Sequence, residues 1–146
     1  MRTMCVARRE GRQLEIPRAK QRAVRSTVYC AVAIVERADG ALLVERRGEK
    51  GMWAGMWQGV TVERVDRAPT AAELAKAVGV PFRSLVRAEG FEFLATHRRV
   101  AFEVFRARAA KGFAPTRGEF RERGAIARLG LSNPQRRLLL RERDSR

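Results

Sequence analysis

The chain has 146 residues, 45% of them hydrophobic, which suits one domain with a core large enough to need no cross-links. Two cysteines, Cys5 and Cys30, are too few for a disulfide framework and fit a reducing compartment. No apolar run reaches the ~20 residues that span a bilayer and residues 1–20 lack a signal-peptide core, so a soluble cytoplasmic protein is expected. The formal net charge is +15, divided as +6 over residues 1–27, zero over 28–97 and +9 over 98–146.

An arginine-dominated excess at both ends points to a polyanion, with nucleic acid favoured on charge. A solvated basic surface is the plainer alternative. In chain order, residues 1–27 read as a polar, basic arm broken by Pro17, and residues 28–146 as the folded domain. Residues 28–35, VYCAVAIV, form a β-branched run of buried-strand type. Asp39-Gly40 is a hairpin turn signal, and ALLVER, 41–46, is the returning strand. A loop holding both tryptophans follows, then a short strand, VTVE. Thr70 and Glu73 make a capping box for a helix that Gly79 ends. GFEFLAT (90–96) and RRVAFEVFRA (98–107) read as two strands, the second with Val100, Phe102 and Val104 on one face and Ala101, Glu103 and Phe105 on the other. Asn133 and Pro134 open a last helix in cap and first-turn positions. Strands with few helices indicate an α+β domain.

The loop GMWAGMWQGV, 51–60, places Trp53 and Trp57 four residues apart among glycines. Core packing, a ligand pocket and a seat for a partner domain are all open to such a stretch. At least one ring is expected in the core and one near the surface, with base stacking as a further role.

Strand, hairpin, glycine-rich loop, strand and a capped helix ending in Gly-aliphatic resemble a Nudix domain, a mixed sheet flanked by helices. That family's enzymes carry a carboxylate signature that holds magnesium against a diphosphate. Aligned on Gly79-Val80, Glu73 and Leu74 match. The arginine of the signature is Ala72, the Glu-Glu pair is Lys76-Ala77, and the upstream Glu is Arg64. Magnesium needs several hard oxygen ligands at close range. The box is therefore degenerate, and hydrolysis of nucleoside diphosphate derivatives would require an atypical metal site.

A Nudix-like fold without its box is similar to the C-terminal, 8-oxoguanine-recognition domain of MutY-type adenine DNA glycosylases. The tryptophan loop is similar to that family's Gly-Leu-Trp-x-Gly-Leu-Trp stretch, with Gly59-Val60 departing where an aromatic and a proline usually follow. The resemblance puts Trp53 and Trp57 near a domain interface. ATHRRVAFEVF, 95–105, resembles the family's lesion-reading hairpin, which makes Thr96 and His97 the lesion-recognition candidates, although Ala95 lacks the usual bulky apolar group. Arg98, Arg99, Arg46 and Arg47 are the candidates for DNA-backbone contact. Residues 5–17 resemble the segment after the last iron–sulfur ligand, so Cys5 would be a relic of one. A cluster needs four such ligands and would belong to a separate glycosylase domain. The expectation is a non-catalytic base-excision-repair module without cofactor or metal of its own, associated with double-stranded DNA and working with a separate glycosylase. A fragment, a split gene product and a free-standing relative are all compatible with this.

Overall fold

The computed structural model describes residues 25–141. Cys5 and most of the arm fall outside those residues. Strand β1, Ser26–Glu36, is apolar on both sides and therefore lies at the centre of the sheet. Val28, Cys30, Val32 and Ile34 enter one core cluster, and Ala31, Ala33 and Val35 enter the other, as the two-residue period of a strand requires.

The returning strand β2, Leu42–Arg46, leaves the expected hairpin almost at once. The turn at Asp39-Gly40 forms, with the Gly40 N–H donating to the Arg37 carbonyl at 2.9 Å. Beyond it, however, β1 and β2 pair only at Glu36 and Leu42. The centre of β1 pairs instead with β4, Val60–Arg64, antiparallel, and with β6, Arg98–Arg108, parallel along its whole length. A strand buried on both faces needs a neighbour at each edge, and these long-range pairings supply them. β2 turns away to β3, Trp57–Gln58, and to β7, Glu119–Arg121. β5, Val86–Leu94, is the outer neighbour of β6.

Helices cover both faces of the sheet. Helix α1, Ala71–Val78, buries Leu74, Ala75 and Val78 against the Ala31, Ala33 and Val35 face together with Phe105. On the opposite face lie the short helix α2, Arg123–Ile126, and helix α3, Asn133–Leu140, which bring in Ile126, Leu138 and Leu139. Burying such a side chain fully contributes roughly 1.5–3 kcal/mol each. The expected split of β6 holds: Val100, Phe102 and Val104 join the α3 side, and Phe105 joins the α1 side. The cap of α3 is one residue earlier than Asn133. Ser132 occupies it in extended conformation, and Pro134 sits in the first turn. Burial pushes the Cys30 thiol up to about 12, so it behaves as a small apolar core residue. Among the described residues no helix is long and apolar enough to cross a membrane.

Candidate nucleic-acid interface

Strands β5 and β6 are joined by a tight turn. β5 ends at Leu94, and the Ala95 N–H donates to the Arg98 carbonyl at 2.8 Å. Ala95 and Thr96, expected at the end of a strand, therefore belong to the turn. Thr96, His97 and Arg98 are exposed there. With Ala95 they line an open recess of about 380 Å³ whose other wall is Gly51 and Met52 of the tryptophan loop. None of the Thr96, His97 and Arg98 side chains has a hydrogen bond or ion pair among the described residues. Arg98 thus shares a face with Thr96. Arg99 does not: alternation turns it across the sheet onto Glu92, with which it forms an ion pair.

The tryptophan loop is the support of this recess. Trp53 adopts φ 56°, a left-handed backbone rare for a bulky residue and strained by about 1–3 kcal/mol. Packing holds it there. Its ring lies 5.8 Å from Phe93 and 6.3 Å from Phe102, on the two strands of the hairpin. Trp57 is in β3, where its N–H donates to the Gly130 carbonyl at 2.8 Å and the Arg121 guanidinium lies 4.6 Å over its ring. Both rings are partly buried against the same core cluster, so neither is a free stacking platform. The two arginines before the loop are tied into it. Arg46 Nε donates to the Gly55 carbonyl at 3.0 Å. Arg47 Nε donates to the Met52 carbonyl at 3.0 Å, and its Nη1 reaches Gln58 Oε1 at 2.9 Å and the Glu63 carboxylate.

The signature helix is closed on itself. Thr70 Oγ1 accepts from the Glu73 N–H at 3.2 Å, and Glu73 Oε2 accepts from the Thr70 N–H at 2.7 Å, completing the capping box. Glu73 Oε1 also takes Arg64 at 2.9 Å and Arg67 at 2.8 Å, and Oε2 takes Arg67 at 2.9 Å. Arg67 first, then the Thr70 N–H and Arg64, hold the Glu73 carboxyl well below the usual carboxylate range. Both oxygens already accept cationic or amide donors. The remaining signature positions offer Arg64, Ala72, Lys76 and Ala77. These residues do not fit magnesium. Among the described residues no three His, Cys, Asp or Glu side chains are grouped to hold a metal ion.

A mixed sheet between helices, with a loop–helix element of Nudix spacing, agrees with the match of a NUDIX domain model to residues 31–141. The chain belongs to the NUDIX domain family. Its fold is shared with several solved structures. The C-terminal domain of mouse MUTYH, seen in complex with human PCNA, is 18% identical with a TM-score of 0.59, over 76% of this chain and 83% of that one. The MutT protein from Methanosarcina mazei Go1 is 16% identical with a TM-score of 0.55, over 80% and 91%. NrtR from Shewanella oneidensis is 11% identical with a TM-score of 0.57, over 82% and 62%. No curated protein matches the sequence.

Among the candidate residues, the NUDIX fold brings Thr96, His97 and Arg98 to one recess and sends Arg99 elsewhere. Sequence reasoning missed the opposite wall, Gly51 and Met52. It also missed Arg117, which meets Glu45 from 72 residues away. No local pattern carries a contact of that separation.

Proposed function

We propose that this NUDIX domain is a non-catalytic module that reads 8-oxoguanine opposite adenine in duplex DNA, in company with a separate adenine DNA glycosylase domain. The observation that carries this reading is the β5–β6 turn. It gathers a hydroxyl, an imidazole and a guanidinium, all unengaged among the described residues, over an open recess. 8-Oxoguanine differs from guanine by a C8 carbonyl and a proton on N7. A reader needs an acceptor for N7–H where guanine presents an acceptor of its own. The Thr96 hydroxyl can accept there, and Arg98 or His97 can donate to the C8 carbonyl or to a neighbouring phosphate. An acceptor left facing an acceptor costs roughly 1–3 kcal/mol, a factor of about five or more in affinity.

Ala95 adds little apolar bulk at the tip, so hydrogen bonding rather than wedging supplies the discrimination. The iron–sulfur cluster of such a repair system would belong to the glycosylase domain. In this reading the protein is cytoplasmic and associated with DNA. The alternative, a hydrolase of nucleoside diphosphate derivatives, would need a metal at Glu73, where both oxygens are already satisfied by arginines and an amide.

The test is a paired titration of 8-oxoguanine:adenine and guanine:adenine duplexes at fixed salt, with and without a glycosylase domain supplied in trans. The wild-type chain should prefer the lesion several-fold, and Thr96→Val should reduce that preference. An equal loss for both duplexes in Thr96→Val would make Thr96 structural and remove the reading.

A further inference from the structure

We infer that a second, polar cleft beside the recess is a metal-free phosphate site that takes one backbone phosphate of the bound duplex. The identity of the duplex rests on the reading above; the anion chemistry does not. The cleft holds about 260 Å³, and its cationic lining is Arg46, Arg47, Lys50 and Arg117. Its carboxylates, Glu45 and Glu63, are already paired with Arg117 and Arg47.

The arginines are set in place before any ligand arrives. Glu45 is buried, 8% exposed. Its Oε1 accepts from the Thr61 N–H at 3.1 Å, from Gln58 Nε2 at 3.1 Å and from Arg117 Nη2 at 2.7 Å, while Oε2 accepts from Arg117 Nε at 2.9 Å. Arg117 Nη2 also donates to the Thr61 carbonyl at 3.3 Å. Arg117 can reach this carboxylate because Gly118 follows it with φ 80°. A Cβ there would lie 2.6 Å from the Val44 carbonyl oxygen, so only glycine lets the loop approach β2 this closely.

A guanidinium has five N–H donors. Among the described residues Arg117 engages Nε and Nη2 and leaves Nη1, and Arg47 engages Nε and Nη1 and leaves Nη2. Each is held by one edge while the rest of the fork stays available to a ligand in the cleft. Lys50, exposed and without an ion pair among the described residues, adds a third donor group. Fixed arginine forks match the planar, multi-oxygen geometry of phosphate.

The cleft and the recess are neighbours through one loop. Gly48 and Lys50 line the cleft, and Gly51 and Met52 line the recess, with Arg47 Nε bonded to the Met52 carbonyl between them. Adjacent residues are only about 3.8 Å apart along the chain. A duplex seated at the Thr96 recess therefore carries its backbone past Lys50. A free nucleotide phosphate offers the same chemistry but does not use that adjacency.

The test measures duplex affinity of the full chain across about 50–200 mM salt for wild type, Lys50→Ala, Arg117→Lys and Lys76→Ala. Lys76 is on helix α1 and does not line the cleft. Each phosphate contact contributes about 0.9 to the slope of log affinity against log salt, so Lys50→Ala should lower the slope by about that amount and Lys76→Ala should not. Arg117→Lys keeps the charge but loses the fork, and should weaken binding to damaged and undamaged duplexes by the same factor. Lost slope in Lys50→Ala when the wild type shows no lesion preference would sustain the cleft and remove only the lesion reading. Unchanged slope in folded Lys50→Ala would overturn the cleft. So would inorganic pyrophosphate binding that Lys50→Ala abolishes while duplex affinity stays constant.

Discussion

Around the first turn of helix α1 the charges close on one another. Glu73 holds Arg64 and Arg67 and caps its own helix, so the one surviving signature carboxylate serves the fold. At the β5–β6 turn the arrangement is the reverse. Trp53, Phe93 and Phe102 pack beneath, and the Thr96, His97 and Arg98 side chains stand above with no partner among the described residues. A polar group satisfied within the protein adds stability and has little left to offer a ligand. A polar group left in water loses nothing in the free state and can exchange that water for a ligand. Under the proposed reading, the binding surface of this NUDIX domain lies away from the family's metal position.

The strongest test of that contrast removes the aromatic support. Trp53→Ala deletes a partly buried ring and leaves a non-glycine residue at φ 56°. It should lower unfolding stability by about 3 kcal/mol, the lower end of the aromatic-to-alanine range because the ring is not fully buried. The measurement is denaturant unfolding, with amide exchange at Ala95 reporting on the turn. A loss under about 1 kcal/mol would mean that the loop and the hairpin hold their shapes independently.

Next in size is the end of the signature helix. Gly79 has φ 90°, and a Cβ there would lie 2.5 Å from Thr116 Oγ1. The Thr116 N–H donates to the Val78 carbonyl at 3.0 Å, so the neighbour cannot simply withdraw. Gly79→Ala should cost about 2 kcal/mol through backbone strain and contact. In a Thr116→Ala background the cost should fall by roughly half, since the Oγ1 contact is gone while the strain and the close Thr116 backbone N at 3.3 Å remain. Equal costs in both backgrounds would show that the contact contributes nothing.

Local features of this fold were legible in the sequence and distant ones were not. The buried-strand run of β1, the Thr70–Glu73 capping box and the Gly79 stop are written within a few residues, and the structure has all three. The gaps in the signature were equally local. The hairpin prediction after Asp39-Gly40 succeeded for the turn and failed for the ladder. β1 is apolar on both faces and takes partners 27 to 72 residues away, which no turn signal encodes. At the candidate interface, Thr96 and His97 could be singled out by resemblance. That Arg98 joins them while Arg99 turns to Glu92 depends on where the turn closes. Arg47 reads as a phosphate-contact candidate in sequence, yet its partners Gln58 and Glu63 arrive only when β2 meets β3 and β4.

The smallest effect belongs to Glu73→Gln, and it separates a structural carboxylate from a catalytic one. Glutamine can keep the acceptor for the Thr70 amide but loses the charge that pairs with Arg67 and Arg64. The pairs are solvent-facing, so the loss in Tm near neutral pH should be a few degrees at most and smaller in high salt. Its pH dependence has a definite sign. The folded-state carboxyl is held below its usual range, so its contribution is present above the unfolded pKa of about 4.3 and disappears as pH falls toward the lower folded value. Tm values of wild type and Glu73→Gln should therefore differ at pH 7 and converge below about pH 4. A gap that stays constant into acid would mean that the glutamine alters packing rather than charge. With magnesium or manganese and nucleoside diphosphate derivatives, the two proteins should show the same background turnover, because Arg64, Ala72, Lys76 and Ala77 complete no ligand set around Glu73. Wild-type turnover well above that of Glu73→Gln would mean that the arginines release Glu73 when substrate binds, and the separation of the two regions would then fail.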